Sequence, residues 1–164
     1  MEYYRSSVDA EIDSLNNLVA NFNEDKGERP VLKYFEGDHG IRFVFDDVIH
    51  TLPPGSEFYR YSSRKNTSTK NFENTMYARH RDKRKIERLV ITSQAKAKLK
   101  KPKLERAIKV IPDTVDLFED DVSLIIYGPK LAYLDYSSKT SFIIESEKIA
   151  SFQKKLFKLL WKQL

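Results

Sequence analysis

Apolar residues recur along the chain at two spacings, one typical of helices and the other of strands. Over residues 2–24 they fall three or four positions apart, which keeps one side of a helix apolar. The residues of this seam are Val8, Ile12, Leu15, Val19 and Phe22. The spacing predicts a helix with short coiled-coil character, which either dimerises the chain or packs on its own domain. A glycine and a proline within residues 25–30 then end the helix and form a linker.

After this linker, strand and helix patterns alternate. Helical spacing predicts helices over residues 41–52 and about 72–85, with Asp38 as the N-cap of the first and residues 53–55 ending it. Runs rich in β-branched and aromatic residues predict strands at 31–35, 57–61 and 88–92. This order predicts a largely parallel sheet with helices packed on it.

The last third of the chain has a different pattern. Turn-like residues separate short strands at 107–111, 123–127, 130–136 and 140–144, which are expected to form hairpins. An amphipathic helix over residues 145–164 closes the chain. The predicted fold class is α/β, with a mixed, partly parallel sheet flanked by helices. Residues 1–27 are predicted to be a dimerisation and linker helix, and residues 28–164 one domain.

Composition excludes several classes of protein. The 164 residues include no cysteine, which rules out disulfides, thiolate nucleophiles and the usual closed zinc sites. No apolar run approaches the roughly 18 to 20 residues that a membrane helix needs, and the first residues do not resemble a signal peptide. A cytoplasmic protein with no metal, no cofactor and no membrane partner is therefore expected.

Positive charge is concentrated in one stretch of the chain. Residues 79–109 hold 13 lysines and arginines and three acidic residues, although the whole chain carries only +5. Such a density can neutralise several nucleic-acid phosphates, and the alternative is a solvated basic face. The candidate phosphate contacts are Arg79, Arg81, Lys83, Arg84, Lys85, Arg88, Lys96, Lys98, Lys100 and Lys101.

Several segments, taken in order, resemble the effector domain of TrmB-like transcriptional regulators. These segments are residues 34–37, 57–63, 123–134, 142–146 and 149–161. The resemblance implies a phospholipase-D-like fold, attachment to a winged-helix DNA reader through a dimerising helix, and in some members a sugar ligand. Only the seam helix precedes the domain here, so a stand-alone effector or a truncated regulator is expected. The implied partners are a second copy of the chain and either DNA or a separate DNA-binding protein.

The resemblance also implies a test for catalysis. Phospholipase-D chemistry uses a histidine nucleophile with a lysine two residues later. The histidines His39, His50 and His80 are followed two residues on by isoleucine, leucine and aspartate. Without the lysine, a shared fold would carry no shared activity, so an enzyme is not expected.

A ligand site is expected where parallel strands end, because pockets in such sheets open at the carboxyl ends of the strands. The residues at these ends are Glu36, Gly37, Ser62, Ser63, Thr92 and Ser93. They suggest a small polar ligand such as a sugar, and ordinary turn and loop chemistry is the alternative. The first functional hypothesis is thus a non-catalytic regulatory module that senses a ligand and dimerises. The second is a sequence-independent nucleic-acid-binding protein that uses the basic stretch 79–109.

Overall fold

The structure is a computed structural model, and it describes residues 29–62, 75–97, 106–112 and 120–164. The chain divides into two units, Met1–Pro30 and Val31–Leu164, and the fold given below is that of the second unit. The predicted dimerisation seam, residues 8–22, lies outside the described residues. So do Ser63, Lys98, Lys100 and Lys101.

Within the described residues, seven strands form one mixed sheet in the order β1-β7-β6-β5-β2-β3-β4. Strands β2, β3 and β4 are parallel to one another, and the other neighbouring pairs are antiparallel. The bounds are β1 Val31–Glu36, β2 Glu57–Ser62, β3 Glu87–Ser93, β4 Arg106–Ile111, β5 Val122–Tyr127, β6 Lys130–Asp135 and β7 Thr140–Glu145. The predicted α/β class with a partly parallel sheet is confirmed.

The described helices are α1 Gly37–Thr51, α2 Thr75–Lys83, α3 Gln94–Ala97 and α4 Glu147–Gln163. Helix α1 begins one residue before the predicted cap, so Asp38 lies in its first turn instead, where its carboxylate is 3.2 Å from the Lys139 ammonium. The reason is Gly37, whose φ of 77° lets the chain turn from β1 directly into the helix. In the described ranges, no helix has both the length and the apolar character needed to cross a membrane.

The position of β1 differs from the prediction. β1 and β2 run in the same direction, but β7, β6 and β5 lie between them, and β1 pairs antiparallel with β7 at the edge. The three inserted strands are joined by short turns, and such local antiparallel pairs form readily once a two- to four-residue turn is available. β4 was expected in a hairpin, and it is instead parallel to β3 at the opposite edge.

Helices cover both faces of the sheet. Helix α1 packs on one face, called the α1 face, with Phe58 of β2 and Ile125 of β5 beneath it. Its apolar residues recur every three or four positions, and five of them are no more than 4% exposed: Ile41, Val44, Phe45, Val48 and Ile49. Helix α4 packs on the other face, called the α4 face, where Phe157 contacts the rings of Tyr59 and Tyr61.

Candidate functional site

The six predicted ligand residues do not meet at one place. β1 lies four strand positions from β2, which corresponds to about 19 Å at the usual strand spacing. Glu36 is exposed and accepts a hydrogen bond from the Tyr34 hydroxyl at 3.1 Å. The Gly37 N–H donates to the carbonyl of Lys139 at 2.7 Å. Glu36 and Gly37 therefore serve the β1 edge, and they are too far from β2 and β3 to share a small ligand with them.

Ser62 and Thr92, in contrast, lie side by side at the carboxyl ends of β2 and β3. They are partners in the parallel register, and the Thr92 hydroxyl donates to the carbonyl of Ser62 at 3.1 Å. Both side chains are buried on the α1 face. Ser93 follows Thr92 in the strand, and so the alternation of the strand directs it to the α4 face.

The polar side chains continue across the sheet beyond these two residues. In β5, the pairing of Tyr61 with Leu124 puts Ser123 beside Ser62. Further along the same row, Ser141 of β7 follows Leu134 of β6. Both serines are 1% exposed. We call Ser62, Thr92, Ser123 and Ser141 the polar row. Sequence reasoning missed its last two members, whose signal is a small hydroxyl residue at an inward position of an otherwise apolar strand.

One member of the row is short of partners. Among the described residues, the Ser141 hydroxyl has no hydrogen-bond partner. It lies under the start of α1, where a Cβ on Gly40 would come within 3.3 Å of the Ser141 Oγ. A buried hydroxyl that lacks a partner is destabilising by about 1–3 kcal/mol, so this end of the row favours an additional polar group.

A buried arginine lies beside the row. Arg60 is two residues before Ser62 on the same face of β2 and is 4% exposed. Its guanidinium donates to the Tyr136 hydroxyl at 3.2 Å and lies 5.4 Å from the centre of the Phe45 ring. A guanidinium stays charged at physiological pH, so the α1 face carries positive charge near the hydroxyls of Ser62, Thr92 and Ser123.

The structure separates the predicted phosphate contacts into buried and exposed residues. Arg81 and Arg88 are only 2% and 5% exposed. Arg84 donates to the carbonyls of Ile49 and Leu52, and so it caps the end of α1. Arg81 and Arg88 are therefore buried away from a phosphate, and Arg84 is partly exposed with its guanidinium engaged by two carbonyls.

The predicted phosphate contacts that are exposed lie at the end of α2. Arg79 and Lys83 are exposed and four residues apart, so they share one side of the helix, and Lys85 is exposed in the turn that follows. Lys96 lies on α3, but its side chain is outside the described set. We call Arg79, Lys83 and Lys85 the α2 cations.

A second buried polar cluster lies at the opposite end of the sheet. The Asp47 carboxylate accepts hydrogen bonds from the Tyr127 hydroxyl at 2.8 Å and from the Lys130 ammonium at 3.0 Å. Lys130 also donates to Thr51 at 3.1 Å. Burial raises the pKa of Tyr127, and the charge of Asp47 and the hydrogen bond to it raise it further. The cluster joins α1 to the β5–β6 turn, a structural role.

The histidines and most acidic residues of the described part of the chain are spread over its surface. In those ranges, no group of three or more histidine and acidic side chains is placed to hold a metal ion. His39, His50 and His80 are all exposed on α1 and α2. His50 Nδ1 lies 2.8 Å from the carbonyl of Asp46 in its own helix.

Comparison with known proteins shows a shared fold. No protein family model matches the chain, and no curated protein sequence matches it. TrmBL2, described as an archaeal chromatin protein with a novel mode of DNA binding, matches with a TM-score of 0.56 at 10% identity, over 99% of this chain and 66% of that one. NucT from Helicobacter pylori matches with a TM-score of 0.52 at 6% identity, over 82% of this chain and 97% of that one. The chain thus spans just under two-thirds of TrmBL2, and the architecture of its mixed sheet and helices is one that both proteins share.

Proposed function

We propose that the chain is a non-catalytic, TrmB-like regulatory domain that binds a small polar ligand at the polar row. The carrying observation is the burial of three neighbouring hydroxyls, those of Ser62, Thr92 and Ser123, beside Arg60 at one end of the sheet. Within the described residues, the Ser141 hydroxyl at the far end of the row lacks a hydrogen-bond partner, and a buried polar group in that state is destabilising. The carboxyl ends of parallel strands are also where ligands bind in open α/β sheets.

The proposed ligand has hydroxyl groups and either no charge or a negative charge. Serine and threonine hydroxyls both donate and accept, which suits the ring hydroxyls of a sugar, and Arg60 would favour a carboxylate or phosphate substituent. The absence of catalysis is part of the proposal. Two observations support the absence of catalysis. None of the three histidines is followed two residues later by a lysine, and all three lie exposed on helices.

The proposal is tested by thermal unfolding of the full chain with a panel of neutral and acidic sugars. A ligand at 100 times its Kd adds about 2.7 kcal/mol of stability, which raises the Tm by about 8 °C for a chain of this size. Thr92→Val with Ser62→Ala removes two hydroxyls of the row and is expected to abolish the rise. The matched control, Ser151→Ala, removes an exposed hydroxyl on α4 and should retain it. The site is rejected if no sugar in the panel shifts the Tm, or if the double variant shifts as the parent does.

Binding of DNA is the second candidate function, and the α2 cations favour it. They are exposed and close in sequence, whereas Arg81 is held by an ion pair with Asp82 and Arg84 donates to backbone carbonyls. The fold likeness to TrmBL2, a protein described as binding DNA, supports the same candidate. Such contact would be to phosphates and independent of sequence.

Dimerisation through residues 8–22 and a cytoplasmic location stay predictions from the sequence.

Fluorescence anisotropy with a labelled DNA duplex tests this candidate at several salt concentrations. Arg79→Glu with Lys83→Glu is expected to weaken binding at least tenfold and to reduce the slope of log K against log salt by about 0.9 for each lost phosphate contact. Lys33→Glu with Lys155→Glu makes the same change of charge at exposed positions on β1 and α4, so this double variant serves as the control. Equal losses in both variants would indicate a general charge effect and count against an interface on α2.

A further inference from the structure

Helix α4 has an exposed apolar side in addition to the side that packs on the sheet. Ile149, Phe152, Leu156 and Leu159 recur at steps of three, four and three residues. They are 37%, 63%, 41% and 60% exposed, whereas Phe157 of the same helix is fully buried. We call these four residues the outer seam. This spacing places two apolar residues in every seven on one side of the helix. The resulting stripe is narrow enough for a single partner helix to cover it.

Two residues of the outer seam, Ile149 and Leu156, border an open part of the α4 face, whereas Phe152 and Leu159 point further into solvent. The Lys158 ammonium is 4.0 Å from the Glu57 carboxylate, so that flank of α4 points to the amino end of β2. Ile149 and Leu156 lie on the opposite flank of the helix, toward the carboxyl end of β2. Near that end of the sheet, the rings of Tyr133 and Phe142 stack at 5.0 Å and are only partly buried.

The open region extends to the edge of the sheet. In β1, Leu32 pairs with Ile144 and Tyr34 pairs with Phe142, which puts both on the α4 face. Leu32 is 66% exposed and Tyr34 is 58% exposed. The outer seam and the strands β6, β7 and β1 therefore form an apolar corner beside α4. A helix is the element that usually fills such a space on an α/β sheet.

Charge decides which kind of helix fits. Lys148, Lys155 and Lys162 are seven residues apart and lie along the outer border of the seam. The whole of α4 holds five lysines and one glutamate. A second copy of α4 would bring like charges together at this border, whereas carboxylates would pair with it.

The surface around Phe152 is also concave. A depression of about 540 Å³ is lined by Glu147, Lys148, Ser151, Phe152 and Lys155. A large apolar side chain can enter it along the aliphatic stems of the lysines, while a neighbouring carboxylate meets their ammonium groups. We propose that the outer seam of α4 docks an acidic amphipathic helix whose apolar residues alternate at three- and four-residue steps.

A peptide with this chemistry is encoded in the chain itself. Residues 8–22 carry apolar residues at steps of four, three, four and three, together with Asp9, Glu11 and Asp13 and no lysine or arginine. A fluorescein-labelled synthetic peptide of residues 2–25 is therefore a suitable probe of the docking surface, whichever protein supplies the helix in the cell.

The parent chain for this test carries Ile12→Asp and Val19→Asp, which disable its own copy of the peptide as a competitor. Titration of this full-length parent into the labelled peptide, followed by fluorescence anisotropy at low salt, is expected to show saturable binding. Phe152→Ser with Leu156→Ser should weaken the affinity at least tenfold, because both side chains belong to the seam. Lys155→Glu with Lys162→Glu should weaken it similarly, and a peptide with Asp9→Lys and Glu11→Lys should restore binding to that variant. Lys83→Glu, a charge reversal on α2, is the control and should leave the affinity unchanged.

Two results would overturn the proposal. One is the absence of saturable binding by the parent chain, or binding that the seam substitutions leave intact. The other is binding to vesicles of phosphatidylserine and phosphatidylcholine that the seam substitutions abolish, with no binding of peptide, which would assign the seam to an anionic membrane surface. The substituted positions are exposed, so unchanged Tm values should show that each variant is folded.

Discussion

Replacement of Phe157 by alanine is expected to lower the free energy of unfolding by about 3–5 kcal/mol. Phe157 is fully buried, and its ring centre lies 5.1 Å from that of Tyr59, 5.0 Å from that of Tyr61 and 5.7 Å from that of Trp161. Removal of the ring would leave a cavity between α4 and the sheet that these rigid neighbours cannot fill. Urea unfolding followed by tryptophan fluorescence and circular dichroism measures the change.

The same helix provides a matched control for this experiment. Phe152→Ala removes an identical group from a position that is 63% exposed, and it is expected to change the unfolding free energy by no more than about 0.5 kcal/mol. Similar losses for Phe152→Ala and Phe157→Ala would contradict the orientation of α4, since only one of these two rings packs on the sheet.

The second large effect is expected at Asp47. Asp47→Ala leaves the Lys130 side chain, which is 12% exposed, without its carboxylate, and it removes the acceptor of the Tyr127 hydroxyl. Loss of one member of a mostly buried ion pair is strongly destabilising, because the remaining charge stays poorly solvated. With some solvent contact retained, a loss of about 3 kcal/mol is expected in urea unfolding.

The neighbouring residue supplies the control for Asp47. Asp46 is exposed on the other side of α1, and Asp46→Ala should cost less than about 0.5 kcal/mol. Lys130→Met in the Asp47→Ala background should recover part of the loss, because it removes the uncompensated ammonium. If the double variant is no more stable than Asp47→Ala alone, the pair is not the source of the effect.

Local pattern was sufficient to predict the strands and the longer helices of the described residues, but it did not predict the short helix α3 or which strands are neighbours. The strands at 57–62 and 87–93 were predicted within one or two residues, since β-branched and aromatic runs report directly on strand formation. The edge position of β1 depends on pairing with β7, which is distant in sequence. The sequence of residues 31–36 alone does not indicate whether β1 pairs with β7 or with β2.

The candidate site was likewise predicted only as far as local sequence allows. Ser62 and Thr92 follow from the rule on strand ends, but Ser123 and Ser141 join them only through the register of β5, β6 and β7. Net charge likewise cannot separate buried from exposed arginines. Strand alternation carries that signal, because Arg88 shares its side of β3 with the buried residues Val90 and Thr92.

The pairing of β1 with β7 has a consequence for biosynthesis. Val31 of the first strand is matched with Glu145, so β1 has no partner until residues 140–145 have been synthesised and have left the ribosome. Until then, the apolar residues Leu32 and Tyr34 belong to an unpaired strand that another nascent chain can join. Native pairing of β1 therefore has to wait for β7, and the length of that wait sets how long this edge stays open to misassembly.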